Sequence, residues 1–345
     1  MKERDYYFDN GKFILIFFVV FGHFIQSFKG DSEAVYSLYK TIYTFHMPAF
    51  ILVSGYFAKG FYKKGYIGKI AKKLIIPYLI FQFIYSVFYY ILYSKSTFTM
   101  DVLDPHWSLW FLISLFFWNI MLILFARFKA IYSLSIALLI GLGIGYLDWV
   151  SNYLSLSRTF VFFPFFLLGY YMKKEYFYKL FEARFRLTAI IIFAFVFVGF
   201  YLFPNINYEW LLGSKPYEEI GAAYITSPFI RLGFYCLSFM MVMSFYCLIP
   251  RKKYFFTNLG KNTLYVYLLH GFFVRTFRES QVQEYFHSLE MFLVLAIGTL
   301  LMTLLLSSKP VTLLTQPIIE LSTAKIRQVL NRASSFTKNR KPLND

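Results

Sequence analysis

A membrane β-barrel is written in segments of about ten residues in which apolar and polar side chains alternate, and this chain has none. Closed barrels and helices are the two backbones that satisfy every peptide group inside lipid, so its apolar runs fall to helices. Cysteine is scarce: there are only two, Cys236 and Cys247. They lie eleven residues apart on one expected helix, about 16 Å along its axis, too far to bridge within it. The pair therefore says nothing about redox compartment. No small-residue cleavage site follows the first apolar run, so "MKERDYYFDNGK" is expected to stay on the protein and not to act as a cleaved signal. Low-complexity linkers and clear internal repeats are also missing. That points to one integral domain over residues 1–308, followed by a basic cytoplasmic tail over 309–345.

What the chain has is grease. Hydrophobic residues make up 58% of its 345 positions, with 45 Phe and 30 Tyr, and its mean hydropathy is +0.53. Soluble domains are nearer half apolar. Apolar stretches long enough to span a bilayer, about 17–25 residues, recur from end to end. The expected fold is all-α and polytopic, with ten transmembrane helices near 12–29, 36–58, 74–94, 107–126, 130–147, 158–173, 187–204, 221–249, 262–277 and 289–307. The net charge of +17 does not form a basic domain of the kind that binds nucleic acid. With both ends cytoplasmic, 27 of the 35 Lys and Arg fall in inner segments, as the positive-inside rule requires. Outer segments hold Asp101, Asp104, Glu209, Glu218 and Glu219 instead. The chain is expected in the cell membrane, with the bilayer as its first partner.

Ionisable groups at membrane depth are costly and mark function by default. His23, His46 and His270 fall inside expected helices, as does Arg231. His106 and Arg158 stand at outer helix mouths, Arg275 near the outer end of the ninth helix, and His287 in an outer loop. Lys12 and His23 share one stripe of the first helix, within about 20° of each other and about 16 Å apart. A histidine so placed either hydrogen-bonds a neighbouring helix or lines a cavity, and a lysine at such a position can simply snorkel to headgroups. Pro48, two residues after His46, supplies a kink whose freed carbonyls a polar group could satisfy. Lys69, Lys72 and Lys73 would share a face if the third helix begins early, an arrangement suited to a polyphosphate or merely to anionic lipid. Trp107 and Trp110 fit an interfacial belt as well as a sugar platform. No His, Cys or carboxylate pattern points to a metal.

Six stretches, in order, resemble one family: "FDNGKFILIFFVVFGH", "YTFHMPAFILVSGYF", "KIAKKLIIPY", "LWFLISLF", "FFPFFLLGYY" and "GKNTLYVYLLHG". Together they are similar to the acyltransferase-3 membrane acyltransferases, and most to the branch resembling fucose 4-O-acetylase. The resemblance implies a ten-helix O-acyltransferase, in its usual form an O-acetyltransferase. Such an enzyme takes the acyl group from cytoplasmic acetyl-CoA and delivers it to a hydroxyl of a cell-surface or lipid-linked glycan, alongside glycan-assembly enzymes. It assigns Lys12 and His23 to the essential first-helix pair, with Lys standing where the family usually has Arg, which keeps the charge and loses the bidentate fork. Lys69-Ile-Ala-Lys72 stands in the same way for an Arg-x-x-Arg motif, and with Lys73 it would meet CoA phosphates as point charges. Some family members carry a fused extracytoplasmic domain. With none expected after the tenth helix, transfer would finish here or pass to a partner.

On this reading His23 is the base or acyl carrier and His46 a second acid/base or orienting group, while Lys12 positions CoA or steadies the oxyanion. Trp107, Trp110, Arg158, Arg231 and His270 would bind acceptor. The rival class is a transporter of a polysaccharide precursor or small anion, because the same residue types line translocation paths.

Overall fold

A computed structural model describes residues 5–30, 32–286 and 289–320. Its elements are helical throughout: α1 (Tyr6–Ile25), α2 (Glu33–Phe57), α3 (Tyr66–Leu92), α4 (Trp110–Phe125), α5 (Ala130–Gly143), α6 (Leu156–Tyr171), α7 (Lys174–Lys179), α8 (Ala183–Leu202), α9 (Glu209–Leu212), α10 (Ser227–Leu248), α11 (Thr263–Glu279), α12 (Leu289–Leu306) and α13 (Lys309–Glu320). A helix stands at each of the ten expected positions. Five of them are long and apolar enough to cross a bilayer unaided, or six if the bent pair α12 and α13 counts as one span. α2 is not among the five, because Lys40, His46 and other polar residues dilute its apolarity, and α11, 17 residues long, falls short of a full span. The site is built by span-like α1 and α6 together with these more polar helices.

Four boundaries differ from expectation, the first being α1, which starts at Tyr6 and not near 12. α3 starts at Tyr66, about two turns early, which puts Lys69, Lys72 and Lys73 on helix. α10 starts at Ser227, not near 221, because Gly221 sits at φ +69° in a turn that ends the outer segment before it. The tail expected from 309 begins as α13, bent 62° from α12. Tyr265 Oη donates to Glu320 Oε1 at 2.6 Å and ties α13 to α11. Tail residues 321–345 and His287 lie outside the described residues.

α2 is the central post, packed against α1, α6, α8 and α10. Its contact with α6 is backbone to backbone. A Cβ on Gly55 would stand 1.9 Å from the Phe166 carbonyl oxygen, and one on Gly169 would stand 1.9 Å from that of Leu52. Small residues permit such approach in lipid, where dispersion and not the hydrophobic effect holds helices together. α1 is capped by Asp5, whose carboxylate accepts from Tyr7 N at 3.1 Å. Its buried Asn10 gathers the inner loop 250–257, donating to the carbonyls of Pro250 and Lys252 and accepting from Thr257 Oγ1. At the other end, buried Gln82 of α3 ties down loop 101–106: its amide donates to the Asp101 and Asp104 carbonyls and its Oε1 accepts from His106 N. α8 is peripheral, its Leu187, Ile190, Ile191, Phe195 and Val198 facing outward where lipid would cover them.

Candidate active site

Three cavities line up between the helices. The inner one, about 150 Å³, lies between α1, α2, α3, α4 and α11, with Lys73 and Thr263 toward the inner end and Val19, Met47 and Tyr267 at its top. Those last three also line the middle chamber of about 140 Å³, together with His23, His46, Tyr43, Trp107, Trp110 and Arg158. Trp107 and Arg158 in turn line an outer cavity of about 530 Å³ with Asp104, His106, Asn152 and Arg275. The three cavities are neighbours separated by shared wall residues, Val19, Met47 and Tyr267 between the first two and Trp107 and Arg158 between the last two, and His23 lines the middle one.

Local packing fixes His23. Gly22 beside it leaves room for the Tyr43 ring, which a Cβ there would meet at 3.1 Å. The Tyr43 hydroxyl thereby reaches His23 Nδ1 at 3.2 Å. Trp107 covers the imidazole at 4.2 Å between centroids, and His270 stacks on it at 5.4 Å with planes 16° apart. Arg278 Nη2 donates to the His23 carbonyl at 2.7 Å and to Gln26 Oε1 at 2.9 Å, pinning the end of α1 to α11. His46 Nδ1 donates to the Ile42 carbonyl at 2.8 Å, one turn back on α2, so its neutral ring keeps the lone pair on Nε2. His270 Nδ1 donates likewise to the Tyr267 carbonyl at 2.8 Å. Its Nε2 is buried without a hydrogen-bond partner among the described residues.

The expected site residues thus divide. His23, His46, Trp107, Trp110 and Arg158 come together around one chamber, with the Arg158 guanidinium 5.1 Å over the Trp110 ring. His270 backs His23 and does not line the chamber. Trp107 has His23 near its ring, with the Arg275 and Arg278 guanidiniums 4.6 and 5.1 Å from the ring centroid, so its place is a partition between chambers and not an open sugar platform. Lys73 lines the inner cavity, and Lys69 and Lys72 are exposed on the same helix. Lys12 is held by Asp9 at 2.9 Å and is not among the residues lining the three cavities. About 16 Å down α1 from His23, it cannot contact an oxyanion formed there.

Arg231 lines none of these three cavities but borders a small pocket that shares Phe162 and Leu211 with the middle chamber. It is buried with its Nη1 donating to the Gly141 carbonyl at 3.1 Å and its guanidinium 4.3 Å over Tyr217, where it knits α5, α10 and the outer segment together. The acceptor role expected for it gives way to this structural one. Tyr43, Arg278 and Asp104 escaped the sequence reading as site residues. Tyr43 precedes His46 by three residues on α2, so the face that carried one carried both. Nothing local marks Arg278, which reaches α1 only through the tertiary fold.

The chain is an all-α, multi-pass membrane protein with a chamber lined by His23 and His46 between its helices. Residues 5–308 match the family described as acyltransferase domain, and the chain belongs to that family. Among curated proteins it is similar to Nodulation protein NolL of Mesorhizobium japonicum, 31% identical over 124 residues, covering 32% of this chain and 33% of that protein. Nodulation protein NolL of Sinorhizobium fredii is 31% identical over 132 residues, covering 33% and 36%. The match thus spans about a third of the length of these relatives. No solved structure matches.

Proposed function

We propose that the protein is an O-acyltransferase of the cell membrane. It moves an acyl group, in the simplest case acetyl from cytoplasmic acetyl-CoA, to a hydroxyl of a cell-surface or lipid-linked glycan presented from the other side. The observation that carries this reading is the row of three adjoining cavities with His23 lining the middle one. Lys69, Lys72 and Lys73 hold CoA phosphates at the inner mouth, with Lys12 adding charge nearby. The pantetheine arm runs up the apolar inner cavity and brings the thioester to the chamber.

The acceptor hydroxyl enters past Trp110 and Arg158. For His23 Nε2 to act as base, Nδ1–H donates to the Tyr43 oxygen, which fixes the tautomer. Nε2 then takes the hydroxyl proton as its oxygen bonds to the thioester carbonyl carbon, the C–S bond breaks, and the proton passes to the departing thiolate. Arg158 is the nearest cation to the developing oxyanion in this chamber. His46, its Nε2 lone pair free, orients the incoming hydroxyl or shares the proton. A His23→Ala variant at matched expression is expected to lose acylation of surface glycans by at least about 100-fold, read by mass spectrometry. Acylation at the wild-type level in that variant ends the proposal.

A further inference from the structure

The outer cavity carries a base that the transfer reaction does not use. Ser86 Oγ donates to the Gln82 carbonyl at 2.8 Å, which commits its only proton. His106 Nε2 lies 2.8 Å from the same oxygen, so it must be the donor there. The neutral ring then carries its lone pair on Nδ1. That atom has no hydrogen-bond partner among the described residues and is not closed off from the cavity. The ring cannot swing away, because Gln82 holds the His106 backbone N–H at 3.0 Å and Tyr89 packs edge-on at 5.0 Å. Buried polar anchoring of this kind is how a recognition group is held ready for a ligand.

Asn152, Arg158 and Arg275 line the same cavity, with Asp101 and Asp104 on its exposed rim. Two carboxylates offset two guanidiniums, so with His106 neutral the lining has no net formal charge. It does have closely alternating acceptors and donors, and about 530 Å³ of room, within the usual size of a small-molecule site. A phosphate or uronate would meet the two carboxylates. A ring of neighbouring hydroxyls, each both donor and acceptor, would satisfy the whole set.

We propose that this cavity is the acceptor subsite for an uncharged pyranoside, and that His106 Nδ1 accepts a hydrogen bond from a hydroxyl adjacent to the one acylated. The inference rests on the acyltransferase reading above and adds the acceptor class and a binding residue. His106 is a specificity residue: it holds the sugar while His23, beyond Trp107, handles the reacting proton.

The test uses the full chain in proteoliposomes with acetyl-CoA labelled in its acetyl group on the Lys-rich face and methyl α-D-glucopyranoside, methyl β-D-galactopyranoside or methyl α-L-fucopyranoside on the other. His106→Gln keeps the donor to Ser86 and removes the Nδ1 lone pair, so the KM for the best of these sugars is expected to rise at least tenfold while the KM for acetyl-CoA stays put. His106→Asn, whose amide oxygen falls near the position of Nδ1, should recover part of the loss. Asp104→Asn, an exposed rim change, should raise the sugar KM independently of the histidine's packing. Wild-type sugar KM in both His106→Gln and Asp104→Asn overturns the proposal, as does a lower wild-type KM for glucose 6-phosphate than for the neutral glucosides. Release of CoA with none of the sugars acylated would also overturn it while sparing acyl transfer. Absence of any CoA release by the wild type would sink the acyltransferase reading itself.

Discussion

At the scale of single residues, the imidazoles are governed by what their second nitrogen touches. His46 and His270 both spend Nδ1 on a carbonyl of their own helix, His23 meets a phenol, and His106 meets a hydroxyl. The carbonyls select the tautomers of His46 and His270. The Ser86 hydroxyl, its proton already committed, selects that of His106, while the Tyr43 phenol can pair with either tautomer of His23. Of these four, only His106 lies outside the membrane-spanning segments. Burial, and after it the nearby Lys95 and Arg275, lowers its pKa to about 4. Asp104 and Arg158 share its cavity. An unfolded chain would protonate this histidine near pH 6.5. Between those values the unfolded state binds the extra proton, so the contribution of His106 to stability is complete above about pH 6.5 and drains away as pH falls toward 4. Melting of the detergent-solubilised protein should therefore decline between pH 7 and pH 5 more in the wild type than in His106→Gln. Parallel pH profiles for the two proteins would show that His106 is not kept neutral by its surroundings.

At the scale of elements, the close seam between α2 and α6 decides where the chamber forms, since α2 supplies Tyr43 and His46 and α6 supplies Arg158. Gly55 and Gly169 meet the opposing backbone at distances no real Cβ tolerates. Gly55→Ala should push the helices apart and cost about 1–3 kcal/mol, the usual penalty of overpacking, seen as a lower melting temperature. Gly199→Ala in peripheral α8, where a Cβ meets nothing within 4 Å, should be neutral or mildly stabilising; equal losses in both variants would remove the seam from the explanation. This is also where reading from sequence stops. Hydropathy located ten helices because lipid imposes length and apolarity on each span separately. It could not tell which of 18 glycines press against a neighbouring element's backbone, because that is a property of the assembled bundle. For the same reason it placed Arg231 with the acceptor residues, although its partners on α5 and the outer segment come from distant parts of the chain.

For the whole molecule, two asymmetries point along the same axis. Lysines concentrate at the end where the inner cavity begins, and Asp101, Asp104 and His106 sit at the end where the outer cavity opens. The first asymmetry was legible as topology. So was the second, but the outer cavity itself was not, because it is assembled by Gln82 of α3 gathering loop 101–106 through tertiary hydrogen bonds. Between the two ends the path narrows at Trp107, which contacts His23 on one side and lines the outer cavity on the other. A donor too large to pass that point must act from the lysine side, and a glycan from the other. In sealed vesicles of known orientation, labelled acetyl-CoA should support transfer only when supplied on the lysine-rich face, and sugar only on the opposite face. Permeabilising the vesicles should abolish that dependence on side. Equal transfer from either side in intact vesicles would mean that donor and acceptor share one entrance, and the three-cavity path would then have to serve something other than vectorial acylation.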